Sequence, residues 1–154
     1  LAQQFGLRLT ERRAGLVPFM FSDATKKLCE TLSGLSVEVT VSCDQQSFTE
    51  ALLFTHRGMS GPAILQISNY WKPGDSISID LLPSLDMDAW LLAQKKQEAK
   101  SLLRNVLSTL LPKALVSELQ SLWWADRADN RIAELSDHTL REIGKKRNCW
   151  QLQQ

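Results

Sequence analysis

The chain has 154 residues, of which 44% are apolar, 23% charged and 7% aromatic. This composition excludes a disordered or fibrous chain and is sufficient for a domain with a hydrophobic core. Eighteen Lys and Arg residues against 17 Asp and Glu residues give a net charge of +1. This balance argues against nucleic-acid binding driven by overall charge.

No apolar run is long enough for a transmembrane helix, and the first residues lack the basic and apolar blocks of a signal peptide. We therefore expect a soluble, cytoplasmic protein. Cys29, Cys43 and Cys149 are far apart and show no C-x-x-C spacing, so we expect reduced thiols and no metal site. The chain begins within what resembles the end of a helix capped by Gly6, and we expect it to be a piece of a larger protein.

Strand patterns dominate the first half of the chain. Strands are predicted at residues 16–21, 37–43, 48–55 and 77–81, and a short helix at residues 23–31. Pro18 cannot donate to a ladder, which favours a sheet edge or a bulge for the first strand. Val37, Val39 and Val41 alternate with polar residues, as in a strand with one buried face. The turn residues 44–47 favour a hairpin with the strand that follows.

A further helix is predicted after a glycine-containing loop. Pro62 suits the first position of this helix, and its N-cap would be Ser60 or Gly61. The residues expected on its apolar face are Ala63, Ile64 and Ile67, and the same spacing extends to Tyr70 and Trp71.

Beyond Pro83 the apolar residues recur at helical spacing. Helices are predicted from Asp86 or Asp88 through residue 92, over residues 102–111, from Pro112 through residue 123, and from Ser136 to Gly144. Residues 148–152 are predicted to form a strand that returns to the sheet of the first half. The predicted fold class is α+β. Residues 1–83 and 148–154 would form a small antiparallel sheet or barrel-like domain, with a helical subdomain inserted at residues 84–147.

The segment from Thr55 to Pro62 has residue types that are typical of a binding site. It lies between a predicted strand and a predicted helix, so backbone N–H groups at the helix N-terminus, together with Arg57, could hold an anion. His56 can donate or accept a proton near neutral pH.

The same segment also has a structural interpretation. Ser60 would be a helix cap, Gly58 and Gly61 turn residues, and Arg57 a solvated charge.

The other candidate residues favour structural roles. His138 is expected on a helix surface, and the Trp123–Trp124 pair in the helical core rather than as a base-stacking platform. Lys145, Lys146 and Arg147 are expected to form a solvated helix end, with phosphate contact as the alternative. Together with Lys95, Lys96 and Lys100 they could form a local patch for RNA.

The stretch Leu52–Ser68, with Thr-His-Arg-Gly-Met-Ser-Gly-Pro at its centre, resembles the signature of the YhiN-type flavoproteins, also called the BaiN/RdsA family of NAD(P)/FAD-dependent oxidoreductases. Residues 5–19 and 79–83 are similar to the same family. In that family the two ends of the polypeptide form an FAD-binding Rossmann-like domain. A middle stretch forms a β-rich domain with a helical domain set into it. The resemblance implies that this chain is the middle stretch alone.

The resemblance implies that the loop faces the flavin and the substrate in a cleft shared with the FAD-binding domain. It implies that His56 and Arg57 orient substrate and that the cofactor-side loop residues are Thr55, Gly58, Ser60, Gly61 and Pro62. The sequence has no G-x-G-x-x-G. We therefore expect FAD in the parent chain, no FAD bound to this piece, and no activity of the piece alone.

The resemblance also implies the partners. These are the FAD-binding domain of the same polypeptide and a substrate with a polarised double bond, with uridine in ribosomal RNA favoured over steroid-like enones and small amines. NADH or NADPH would reduce the flavin. No membrane partner is expected, because no apolar run is long enough to cross a bilayer. The alternative function is a docking module without chemistry, which binds RNA or a protein through its helical part.

Overall fold

Six strands form one antiparallel sheet in a computed structural model that describes residues 2–8, 15–148 and 150–153. The strands are β1 (Phe19–Met20), β2 (Ser36–Cys43), β3 (Gln46–Thr55), β4 (Gly58–Ser60), β5 (Ser76–Asp80) and β6 (Trp150–Gln153). Their order across the sheet is β1-β4-β3-β2-β5-β6. Together with the helices given below, this sheet confirms the predicted α+β class.

The longest ladder is the β2–β3 hairpin, in which Val37 pairs with Leu52 and Val41 with Phe48. Val37, Val39 and Val41 are buried, as their alternation with polar residues predicts. The turn is tighter than the sequence indicates, because β3 begins at Gln46. Asp44 lies in the left-handed region at φ 54°, which short polar side chains tolerate.

Two short helices flank this ladder. The first, α1, spans Asp23–Thr31, with the predicted bounds. The second, α2, spans Pro62–Ile67 and packs against β3 and β2. Gly61 is the N-cap of α2, and the helix buries Ala63, Ile64 and Ile67, as predicted, but it ends before Tyr70 and Trp71.

The predicted strand at residues 16–21 is wrong in its length, since β1 contains two residues only. Leu16 has φ 55°, outside the range of a strand, and its N–H donates to Asn69 Oδ1 at 3.2 Å. The Val17 N–H donates to Ser68 Oγ at 3.0 Å. The side chains of Ser68 and Asn69, directly after α2, thus bind the backbone of residues 16 and 17, which were expected to pair in the sheet.

The second half of the chain is helical. The α-helices are α3 (Met87–Gln97), α4 (Leu103–Leu107), α5 (Lys113–Trp123) and α6 (Asp137–Asn148), and short 3-10 turns occur at Ala125–Arg127 and Ile132–Glu134. Asp86 caps α3 by accepting from the Ala89 N–H at 3.2 Å. No helix in the described ranges is both long and apolar enough to cross a membrane.

Three helix ends differ from the prediction. Helix α3, expected to end at residue 92, continues to Gln97. The helix expected over residues 102–111 ends at Leu107. The hydroxyls of Ser108 and Thr109 donate to the carbonyls of Arg104 and Val106, and Pro112 disfavours helical geometry in the residue before it.

The fourth helix continues past Gly144 to Asn148. A Cβ at Gly144 would lie 2.7 Å from Asp88 Oδ1, so this glycine permits close packing of α6 on α3 and does not end the helix.

The sheet and the helices share one cluster of buried side chains. It runs from Val39 and Ile79 in the sheet to Leu115 and Ile143 in the helices. Strand β6 pairs with β5, which confirms the predicted return of the chain to the sheet after the helices. The division into residues 1–83 with 148–154 and residues 84–147 stays a prediction.

An exposed ion pair also joins α3 to α6. The Lys95 ammonium donates to Asp137 Oδ1 at 2.8 Å and holds the pKa of that carboxyl below its usual value. Because both charges are in contact with water, the pair contributes little to stability.

Cys29 and Cys43 are buried free thiols, and Cys149 lies outside the described residues. Burial raises the pKa of Cys29 to about 12 and also raises the pKa of Cys43. In a Cys149→Ser background we therefore expect neither thiol to react with Ellman's reagent at pH 8 until urea unfolds the chain. Reaction of the native chain at the rate of free glutathione would contradict the buried placement.

Candidate functional site

The predicted loop from Thr55 to Pro62 is a tight turn followed by a strand. Thr55 of β3 pairs with Gly58 of β4, so His56 and Arg57 alone form the turn. Both residues are exposed. Sequence reasoning missed β4, because three residues with a glycine at one end carry no strand pattern.

Hydrogen bonds from both sides fix the backbone of this turn. The Thr55 hydroxyl donates to the Gly58 carbonyl at 3.1 Å and accepts from the Gly58 N–H at 3.2 Å. On the other side, the Phe21 N–H donates to the Arg57 carbonyl at 3.2 Å. The turn therefore presents a cation and an imidazole to solvent from a braced backbone.

The remaining predicted loop residues differ in their exposure. Gly58 is buried between β1 and β3, and Ser60 is half-buried where it pairs with Leu53. Gly61 is half-buried as the cap of α2, and Pro62 is exposed. The structure thus brings the seven predicted residues together along one turn and strand. Their roles towards a cofactor or substrate stay predictions.

The positive charge of this site resides mainly on Arg57. Helix α2 has six residues and begins with Pro62, which has no N–H to offer an anion. So short a helix adds only a small dipole to the few donors that remain. The Arg57 guanidinium carries a full charge and several donors.

An apolar side chain lies beside this turn. Met20 of β1 is 55% exposed and pairs with Gly58, the residue directly after the turn. The surface next to Arg57 therefore combines a charge with an apolar contact.

The other predicted residues have the structural roles expected of them. His138 is exposed on α6, with Nε2 at 3.4 Å from Glu142 Oε1. Trp124 is 1% exposed and belongs to the core, against which Trp123 packs. Lys145 and Lys146 are exposed near the end of α6. In the part of the chain that the structure describes, no cluster of three or more His, Cys, Asp or Glu side chains is placed to hold a metal ion.

Sequence reasoning missed a groove of about 480 Å³ between α4 and α5, called here the α4–α5 groove, in which polar and charged side chains lie beside an apolar floor that includes Val116. Its lining includes Arg104, Ser108, Thr109, Lys113 and Gln120. The sequence pattern that could have indicated this groove is the polar face opposite the apolar stripe, on which Arg104 and Ser108 lie four residues apart.

Comparison with known proteins gives the family. Residues 13–154 match the family described as "HI0933-like protein barrel and H2TH domain". The chain belongs to this family. It is 45% identical over 123 residues to the ribosomal RNA dihydrouridine synthase of Escherichia coli (strain K12). It is 48% identical over 118 residues to the ribosomal RNA dihydrouridine synthase of Haemophilus influenzae (strain ATCC 51907 / DSM 11121 / KW20 / Rd).

These matches cover 79% and 75% of this HI0933-like chain but 31% and 29% of the two relatives. The chain therefore spans less than a third of the length of the curated relatives it matches. The resemblance that the sequence motif indicated is confirmed at the level of the family.

The fold of this HI0933-like chain between β4 and α2 depends on a glycine at position 61. Gly61 has φ 92°, and a Cβ there would lie 2.7 Å from the Ala51 carbonyl oxygen and 2.9 Å from the Leu53 nitrogen. We expect Gly61→Ala to lower the free energy of unfolding by roughly 3 kcal/mol, from backbone strain plus overlap. Urea denaturation measures the loss.

Gly34→Ala is the matched control for this substitution. Gly34 has φ 91° and no atom within 4 Å of an added Cβ, so we expect strain alone, at about 1 kcal/mol. Equal losses at the two glycines would contradict the close approach of β3 to Gly61.

Proposed function

We propose that this chain is the substrate-side, capping part of a flavin-dependent oxidoreductase that reduces a uridine of ribosomal RNA to dihydrouridine. Its similarity to two ribosomal RNA dihydrouridine synthases supports the reaction and the RNA substrate. NADH or NADPH would reduce the flavin of the parent enzyme. A substrate in ribosomal RNA is consistent with the cytoplasmic location expected from the sequence.

The observation that carries this proposal is the exposed and braced His56–Arg57 turn. Its backbone is held by Thr55 and Phe21 before any ligand arrives, so substrate binding has to order the two side chains but not the backbone of the turn. In the proposed complex the Arg57 guanidinium holds a carbonyl or phosphate oxygen of the substrate. His56 orients the base by a hydrogen bond.

The residues of the turn could contact one side of a flavin that another domain holds. They could not bind a flavin by themselves. The turn offers Arg57 as a cation next to the apolar Met20, and the sequence has no G-x-G-x-x-G to cradle a pyrophosphate. When bound in the parent chain, reduced FAD supplies the hydride that a polarised double bond accepts. This chain would orient the double bond and exclude water.

The proposal also assigns a position in the parent enzyme to each part of the chain. Residues 1–83 and 148–154 form the side that faces the FAD-binding domain of the same polypeptide, with Thr55, Gly58 and the segment 60–62 at the cofactor edge. Residues 84–147 form an inserted helical subdomain. The piece alone would be inactive.

Substitution of the turn residues in the full-length parent chain tests this proposal. We expect His56→Ala and Arg57→Ala to lower the rate at which uridine-containing ribosomal RNA reoxidises the reduced flavin by about 10- to 100-fold, because each removes a contact that orients the substrate. Stopped-flow absorbance of the flavin measures this rate.

Lys27→Gln is the control, because Lys27 is an exposed cation on α1. Reoxidation at the wild-type rate in both turn variants would refute the proposed role of the turn. It would favour a docking module without chemistry.

A second test uses this chain without the rest of the parent. We expect micromolar chain to leave the fluorescence of FAD unchanged, because the turn contributes one cation and no pyrophosphate cradle. The full-length parent is the positive control. Stoichiometric quenching by this chain alone would contradict the proposed division of the cofactor site.

A further inference from the structure

The α4–α5 groove carries positive charge that has no role in the flavin contact proposed above. Its lining contains Arg104 from α4 and Lys113 from α5, and no carboxylate. The Arg104 guanidinium is held at the groove by the Ala128 carbonyl at 3.4 Å and by Asp129 at 3.7 Å. Asp129 is 98% exposed, so water screens its charge and the groove keeps a net positive character.

Two hydroxyl groups of the groove are available only as acceptors. Ser108 Oγ donates its proton to the Arg104 carbonyl at 2.7 Å, and Thr109 Oγ1 donates its proton to the Val106 carbonyl at 2.7 Å. A hydroxyl that has donated its single proton retains lone pairs only. These two oxygens therefore suit a ligand that brings its own donor.

An amide of the lining also needs a donor. In the described part of the chain, Gln120 Oε1 is buried and has no hydrogen-bond partner. A ligand hydroxyl would satisfy this acceptor once the amide turns towards the groove. A groove lined by two cations and by acceptor oxygens suits a ligand that carries an anion and a hydrogen-bond donor close together.

The ribose-phosphate unit of RNA has both groups on adjacent atoms, because its 2′-hydroxyl lies next to the phosphodiester. A DNA strand brings the anion without that hydroxyl, and a free phosphate carries its hydroxyl donor on the anion itself rather than on a neighbouring sugar carbon. An acidic peptide brings carboxylates with its backbone N–H groups at a different spacing.

Building on the function proposed above, we propose that the α4–α5 groove binds the sugar–phosphate backbone of the RNA substrate. A phosphate lies between the two cations, and a ribose 2′-hydroxyl donates to the hydroxyl oxygens. The groove would thus position the RNA at a distance from the turn where the uridine is oriented. The overall net charge of +1 does not oppose this, because the groove concentrates its charge locally.

The test measures binding of the full-length parent chain to a fluorescein-labelled, uridine-containing ribosomal RNA oligonucleotide by anisotropy over a range of KCl concentrations. We expect Arg104→Met and Lys113→Met each to raise the Kd about tenfold. Each should also lower the slope of log Kd against log salt by about one. The control Lys27→Gln should change neither quantity.

A second pair of substitutions tests the ribose contact. Ser108→Ala combined with Thr109→Val removes both hydroxyl oxygens, and we expect it to weaken binding of the RNA while leaving binding of a DNA oligonucleotide of the same sequence unchanged. Ser108→Ala combined with Thr109→Ser, which keeps a hydroxyl at position 109, should recover part of the RNA preference. An unchanged thermal midpoint shows that the variants fold.

A Kd within about twofold of wild type in both cation variants would overturn the proposal, because phosphate contacts carry most of the affinity for nucleic acid. Equal losses for RNA and DNA in the hydroxyl variant would overturn the ribose contact. Flavin content is measured separately by absorbance. A parent chain without flavin that binds RNA through Arg104 and Lys113 would refute the proposed function and support this inference.

Discussion

The pairing of β3 with β4 across the His56–Arg57 turn is the constraint on which the candidate site depends. It sets Thr55 opposite Gly58, so that one hydroxyl can bond both backbone groups of Gly58. It also places β4 between β3 and β1, where Phe21 can bond the Arg57 carbonyl. These bonds hold the backbone of the turn, while the side chains of His56 and Arg57 are exposed.

The same pairing explains how a surface turn and a buried core can be adjacent. Met59, two residues after Arg57, is fully buried, and α2 begins directly after β4. The chain therefore passes from solvent to core within two residues and enters a helix that packs on the sheet. The packing of Met59 limits movement of the backbone at Arg57, a rigidity that the proposed substrate contact would use.

The helical part and the sheet are held together by burial more than by charge. Leu91 of α3 and Ile143 of α6 belong to the same buried cluster as Ile79 of β5, whereas the Lys95–Asp137 pair is exposed to water. Buried apolar area stabilises at about 25 cal/mol per Å², and exposed ion pairs add little. The α4–α5 groove thus lies on a framework that shares its core with the sheet carrying the turn.

The sequence by itself determined the class, the hairpin of β2 and β3, the bounds of α1 and the signature around Thr55, because these depend on local periodicity and turn residues. Only the tertiary structure decided that β1 is short, that Gly58 begins a strand and that α6 continues past Gly144. In each case a partner distant in sequence set the outcome, such as Ser68 bonding Val17 or Asp88 packing against Gly144. The α4–α5 groove likewise requires two helices to meet, since neither α4 nor α5 alone brings its cations and hydroxyls into one cavity.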